Sequence, residues 1–279
     1  MKKIFDDLSD VCCKSTTRSY STSFYSAVNM LHDSIKQDIH NVYGFVRLAD
    51  EIVDSFEGYD KLYLLDKFEA DFYESLNQKI SLNPILNAFQ NTVRKYNIDL
   101  KLIDAFLKSM RMDLDKKEYL SREEYERYIY GSADVVGLMC LKIFVNGNEN
   151  HYNKLKPNAM KLGSAFQKVN FLRDFKSDIE LLERSYFPNV NLKELDYKSK
   201  QDIINEIKAD FEIAYEGIIQ LPDSSKRGVY TAYVYYQRLL KKLDQTPYQK
   251  ILDSRIRVNN FIKMGLMIKS FFQIKLNII

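Results

Sequence analysis

Apolar side chains recur along this chain at intervals of three and four, the period of helices laid against a core, and short polar or glycine-bearing breaks separate the runs. The pattern predicts helices over 4–16, 33–54, 60–76, 83–96, 99–116, 121–145, 151–180, 199–219, 223–244 and 249–275, with Ser-rich 19–26 a turn or helix start. The 33–54 helix puts Ile35, Ile39, Val42, Tyr43, Val46, Ala49 and Val53 on one broad face. Asn83-Pro84 and the capping box Ser121-Arg122-Glu123-Glu124 are start signals, and Gly58 reads as a C′ residue. Residues 146–150 form a loop, and the chain is irregular around Tyr186-Phe187-Pro188-Asn189. No repeat and no clean linker interrupts the series, so residues 1–279 are expected to form one all-α domain.

Composition strengthens the helical reading. Of 279 residues, 46% are hydrophobic and 28% charged, enough for a large core, and only 9 Gly and 5 Pro occur. The net charge of +3 is too small and dispersed to indicate a nucleic-acid partner. Twenty Tyr and 17 Phe with no Trp fill a core or line an apolar pocket, where aromatic faces can shield a cation. Cys12, Cys13 and Cys140 have neither metal-ligand spacing nor an even disulfide framework and read as reduced thiols. The N-terminus turns acidic at once, unlike a signal peptide, and no stretch of ~20 residues lacks charge, so a cytoplasmic chain without a spanning helix is expected. Phe261–Ile279 is apolar apart from Lys263, Lys269, Lys275, Gln273 and Asn277; it reads as a final core helix, or else as a basic apolar tail resting on the inner face of a membrane.

Candidate chemistry lies in two aspartate pairs. Asp50 and Asp54 follow Arg47, and Asp174 and Asp178 follow Arg173; in each pair the carboxylates are four apart and share a helix face. Facing each other alone they would repel, whereas a hard cation and a diphosphate would make the arrangement favourable. Gln167, Asn170, Asp174 and Asp178 form a polar stripe on a segment otherwise apolar almost all round, which packing does not explain. Gly131, Ser132, Ala133 and Gly137 fall mid-helix, where each glycine costs ~1 kcal/mol relative to alanine. Close helix packing is one reading of them; a bulky substrate chain against the backbone is the sharper one. His32, His40 and His151 are scattered, so neither a His-based zinc site nor a Ser-His-Asp triad is supported, and no GxGxxG or GxxxxGK pattern marks a nucleotide.

Taken in order, Tyr20-Ser21-Thr22-Ser23-Phe24, Tyr43-x-x-x-Arg47-x-x-Asp50-x-x-x-Asp54, Tyr128 with Ala133 and Val136-Gly137, Gln167-x-x-Asn170-x-x-Arg173-Asp174-x-x-x-Asp178 and Arg184-x-Tyr186-Phe187-Pro188 resemble the squalene/phytoene synthase family over about residues 15–240. The likeness is strongest to its bacterial phytoene-forming members. It implies the all-α isoprenoid synthase fold with a central cavity, and head-to-head (1′–1) condensation of two geranylgeranyl diphosphates through prephytoene diphosphate to phytoene, the first committed step toward carotenoids. It further implies that Asp50, Asp54, Asn170, Asp174 and Asp178 hold two or three Mg²⁺ ions, with Mn²⁺ a substitute. Arg47 and Arg173 would neutralise departing diphosphate beside Ser21 and Ser23. Tyr43, Tyr128, Gln167 and Tyr235 would line the chamber, and Phe24, Arg184 and Tyr186 would contact substrate. A carotenoid desaturase would receive the product.

Three features depart from the family pattern. Tyr20 stands where several relatives have histidine. The second motif reads Asp-Phe-Lys-Ser-Asp rather than Asp-Val-Gly-Glu-Asp, and Lys176 brings a positive charge that could replace a diphosphate or metal contact. The C-terminal membrane helix of eukaryotic squalene synthases is lacking. Alternatives to the C20 reaction are a dehydrosqualene or squalene synthase using two farnesyl diphosphates, and a non-catalytic binding protein, although the latter should lose aspartates that are intact here.

Overall fold

A computed structural model describes residues 2–115, 119, 121–180, 186–188, 195–276 and 278, without the side chains of 177–180 and 260. Every regular element among them is helical. In chain order these are α1 (Lys2–Tyr20), α2 (Thr22–Asn29), α3 (Asp33–Ser55), α4 (Lys61–Gln78), α5 (Pro84–Tyr96), α6 (Leu100–Asp115), α7 (Arg122–Ile129), α8 (Val135–Phe144), α9 (Glu149–Glu180), α10 (Tyr197–Ile218), α11 (Asp223–Gln245), α12 (Tyr248–Asp253) and α13 (Asn260–Lys275). Local chemistry explains several starts: Asn83 Oδ1 accepts from the amides of Ile85 and Leu86, with Pro84 at the first helical position, and Ser121 accepts from the Glu124 amide. Gly58, at φ +80°, turns the chain after α3, but with Phe56 as the C-cap it stands one position beyond C′ rather than at it.

Two expected helices are broken. Residues 121–145 form α7 and α8 joined by a π-helical turn, Tyr130–Asp134. The 249–275 span divides into α12 and α13 around an extended stretch, because Asn259 accepts from the Phe261 amide and starts a new helix.

Two cores flank the centre. One packs Phe45 of α3 against Phe89 of α5, with centroids 4.0 Å apart, and against Phe68, Phe72 and Phe106. The other joins α7, α9, α10 and α11 around Tyr125, Leu172, Phe211 and Leu239. A charged lattice also ties α9 to α10: Lys168, 4% exposed, meets Asp210 at 2.6 Å and Glu206 at 2.5 Å, and Arg122 of α7 meets Glu206 at 2.7 Å.

The mid-helix glycines are explained by close packing. A Cβ on Gly131 would lie 2.7 Å from the Ala105 carbonyl oxygen of α6, and one on Gly163 would lie 2.7 Å from that of Ala133. This corrects the substrate-chain reading for Gly131: the π-helical turn is drawn onto α6 and α9. Ser132, Ala133 and Gly137 nevertheless face the cavity between the cores.

Candidate active site

The cavity occupies about 300 Å³ and is walled by α2, α3, α8, α9, α10 and α11 with the turn before α8. At one end it is polar, with Tyr43, Gln167, Asn170 and Tyr236; Phe24, Val46, Val136, Leu162 and Phe166 continue an apolar wall. Leu31, Leu155, Leu221 and Val229 line its far end.

On α3, helical spacing aligns Tyr43, Arg47, Asp50 and Asp54. Arg47 donates to Asp50 at 2.5 Å and also pairs with Glu51, and its guanidinium carbon stands 4.3 Å from the Tyr20 ring centroid. Tyr20 thus supplies a π face to Arg47. Burial opposes the Arg47 charge, but Asp50 and Glu51 outweigh it and raise its pKa. Its Nε is buried with no hydrogen-bond partner among the described residues. Phe24, from the first turn of α2, stacks on Tyr43 with centroids 5.0 Å apart. Ser21 caps α2 by accepting from the Phe24 amide at 3.3 Å; Ser23 is half-buried in the same turn. Burial, with Asp50 and Tyr236 nearby, pushes the Tyr43 phenol up to about 12, against the opposing effects of Arg47 and Ser21.

On α9, Arg173 grips Asp174 through Nε at 2.9 Å and Nη2 at 2.5 Å. Arg255, from the extended stretch before α13, meets the same carboxylate at 2.7 Å. Lys176 donates to the Asp253 carbonyl at 3.0 Å, so this ammonium fastens the end of α12 and the stretch carrying Arg255. Tyr236 of α11 joins the two stripes: its hydroxyl donates to Asn170 Oδ1 at 3.2 Å, its ring stacks on Phe166 at 4.0 Å, and it influences Tyr43. Among the described residues no three of His, Cys, Asp and Glu gather as a metal cage.

Ser21, Phe24, Tyr43, Arg47 and Asp50 are therefore brought toward Gln167, Asn170, Arg173 and Asp174 around the polar end of the cavity. Three of the expected residues stand off the cavity wall. Tyr235 does not line the cavity: Lys263 lies 5.5 Å over its ring and its phenol acts on Arg173, while Tyr236, turned by ~100° on α11, faces inward. Tyr128 and Tyr186 likewise belong to an aromatic stack with Phe171 in the second core, Tyr186 lying 3.8 Å from Phe171 and Tyr128 donating to Asp113 at 2.8 Å. Burial, then Asp113, hold the Tyr128 phenol well above its ordinary range. Arg184 and the Asp178 side chain lie outside what the structure describes. Arg255 and Tyr236 escaped the sequence reading; the spacing of four through Gly228, Ala232 and Tyr236 was a usable signal for the latter, but Arg255 carries none.

The fold is thus an all-α shell around an apolar cavity with arginine-bound carboxylates at one end. The squalene/phytoene synthase family model matches residues 17–261, and the chain belongs to that family, whose members are prenyltransferases joining prenyl diphosphates head to head. A phytoene synthase of Arthrospira platensis is 26% identical, covering 90% of this chain and 89% of the relative. A 15-cis-phytoene synthase of Synechococcus elongatus is also 26% identical, over 85% and 84%. Among solved structures, a ligand-bound dehydrosqualene synthase superposes with a TM-score of 0.84 at 22% identity, covering 97% of this chain and 98% of the other. A squalene synthase of Alicyclobacillus acidocaldarius superposes at 0.74 with 20% identity, over 86% and 95%.

Proposed function

We propose that this enzyme is a phytoene synthase, condensing two geranylgeranyl diphosphates through prephytoene diphosphate to phytoene with release of two diphosphates. The apolar wall is long enough for a C20 donor, and the relatives named phytoene synthase favour that choice. Asn170 at the polar end and Leu155 at the far end lie fifteen positions apart on α9, a rise of ~22 Å. At ~1.2 Å per bond, an extended C20 prenyl chain reaches roughly 19 Å and a C15 chain roughly 14 Å.

The donor set suits magnesium. Asp50, Asp54, Asn170 and Asp174 offer hard oxygens spread over two helices, and Mg²⁺ is commonly held by one or two carboxylates together with substrate phosphate oxygens and water. Mg²⁺, or Mn²⁺ in its place, would draw charge from the diphosphate as the allylic C–O bond breaks. Arg47, whose Nε has no partner among the described residues, and Arg173 would donate to the departing oxygens. Phe24, Tyr43, Phe166 and Tyr236 would exclude water and turn aromatic faces toward the allylic cation. Tyr43, with its pKa near 12, keeps its proton at working pH and can donate a hydrogen bond to a diphosphate oxygen.

Product analysis tests the proposal: purified enzyme with Mg²⁺ is offered C15 and C20 diphosphates separately, and the hydrocarbon extract is examined by mass spectrometry. A C40 product from the C20 donor is expected. A C30 product from the C15 donor alone would overturn the chain-length assignment, and absence of hydrocarbon from either would overturn the reaction.

A further inference from the structure

The face of α13 turned away from the protein is apolar. Phe261, Met264, Ile268, Phe272 and Leu276 recur at intervals of three and four and are 54–80% exposed. The opposite face is seated on α11, which runs antiparallel to it: Ser270 pairs with Thr231 at 2.9 Å, Gln273 with Tyr230 at 3.4 Å, and Lys263 lies over Tyr235. Ser270 alone is fully buried among the described positions of the helix, which corrects the reading of a final core helix. A stripe this long on a surface needs an occupant.

Charge identifies one. From Ser254 to Ile279 there is no acidic residue, against Arg255, Arg257, Lys263, Lys269 and Lys275. Arg255 is taken up by Asp174 and Lys263 by Tyr235, but Lys269 and Lys275 are exposed, one at the edge of the stripe and one within its last described turn. Cations among exposed phenylalanine and isoleucine suit an interface where apolar side chains enter acyl chains and ammonium groups meet phosphates. No helix among the described residues is long and apolar enough to cross a membrane, so contact would be lateral. The position is apt as well: α11 carries α13 on one side, while its Gly228, Val229, Ala232 and Tyr236 line the cavity on the other.

We propose that the Phe261–Met264–Ile268–Phe272–Leu276 face of α13 docks on an anionic phospholipid bilayer, with Lys269 and Lys275 at the headgroups. Two helix layers, α11 and α13, then separate the apolar cavity from the lipid.

Vesicle flotation with the full chain tests this, using phosphatidylcholine vesicles with and without phosphatidylglycerol. Binding to the anionic vesicles is expected, weakened about 30-fold by K269Q/K275Q. I268S/F272S should abolish flotation with circular dichroism and turnover of detergent-dispersed substrate unchanged, since both side chains point away from the cavity. Equal binding by wild type and I268S/F272S would overturn the assignment, as would failure of the wild type to float. Concentration-dependent dimerisation lost in I268S/F272S, without vesicle binding by the wild type, would instead assign the face to a second copy. None of these outcomes depends on which donor the cavity accepts.

Discussion

Arg255 reaches from the stretch between α12 and α13 to the Asp174 carboxylate of α9, 2.7 Å away, beside the two-pronged grip of Arg173 on the same group. Two guanidiniums thus converge on one carboxylate at the mouth of the cavity, one local in sequence and one 81 residues distant. A cation competing for Asp174 would free both arginines for phosphate oxygens.

Arg255→Ala is expected to lower turnover about 100-fold with little change in helical circular dichroism, the scale of losing one positioned donor. Arg255→Lys should recover only part, because an ammonium lacks the fork that spans both oxygens. Steady-state kinetics on both variants check this; a fully active Arg255→Ala enzyme would remove Arg255 from the site.

Donor length is expected to respond at the far end of the cavity. Leu31 packs on Gly228 so closely that a Cβ there would lie 2.3 Å from Leu31 Cδ2 and 2.9 Å from the Ala27 carbonyl oxygen. Leu31→Phe should shift the ratio of kcat/KM toward the C15 donor by about tenfold or more, the discrimination a few methylenes provide in an apolar pocket. Competition between C15 and C20 diphosphates reads the ratio directly.

These positions show what the sequence could and could not yield. The long α3 helix, its aspartates and the stripe through Gln167, Asn170 and Asp174 were legible because local periodicity records which residues share a face. Tyr236 was missed in favour of Tyr235 because a one-residue shift on a helix turns a side chain by ~100°, and both neighbours are tyrosine. Tyr128 and Tyr186 carry the family motif, yet their stacking on Phe171 is a tertiary fact that no spacing records. Arg255 gains its meaning only from the break at 254–259, which an apolar pattern continuing into α13 conceals.

Stability should depend strongly on Lys168. It is buried against Asp210 and Glu206, so Lys168→Ala leaves buried carboxylate charge with less compensation and is expected to destabilise by about 3–5 kcal/mol. Urea denaturation checks the value; a loss below about 1 kcal/mol would mean that Arg122 and Lys161 suffice for the pair.

Asp134, at the end of the π-helical turn, accepts from Ser164 at 2.8 Å. Burial lifts its pKa to about 6, against the opposing influence of Ser164, Lys168 and Lys161, while Asp210 adds to the rise. A raised acid favours the folded state below its unfolded pKa of 3.8, and that contribution is lost as pH rises through about 6. Asp134→Asn should therefore gain about 2–3 kcal/mol relative to wild type between pH 4 and pH 7. Parallel thermal melts of the two proteins across that range give the difference, and identical pH profiles would contradict it.

The most direct measurement compares Asp50→Ala and Asp174→Ala with wild type for hydrocarbon formation and diphosphate release, alongside helical circular dichroism. If the α3 and α9 stripes act together on the substrate diphosphates, both activities vanish in each variant while the helical signal is retained. Wild-type turnover in either variant would contradict the two-stripe site.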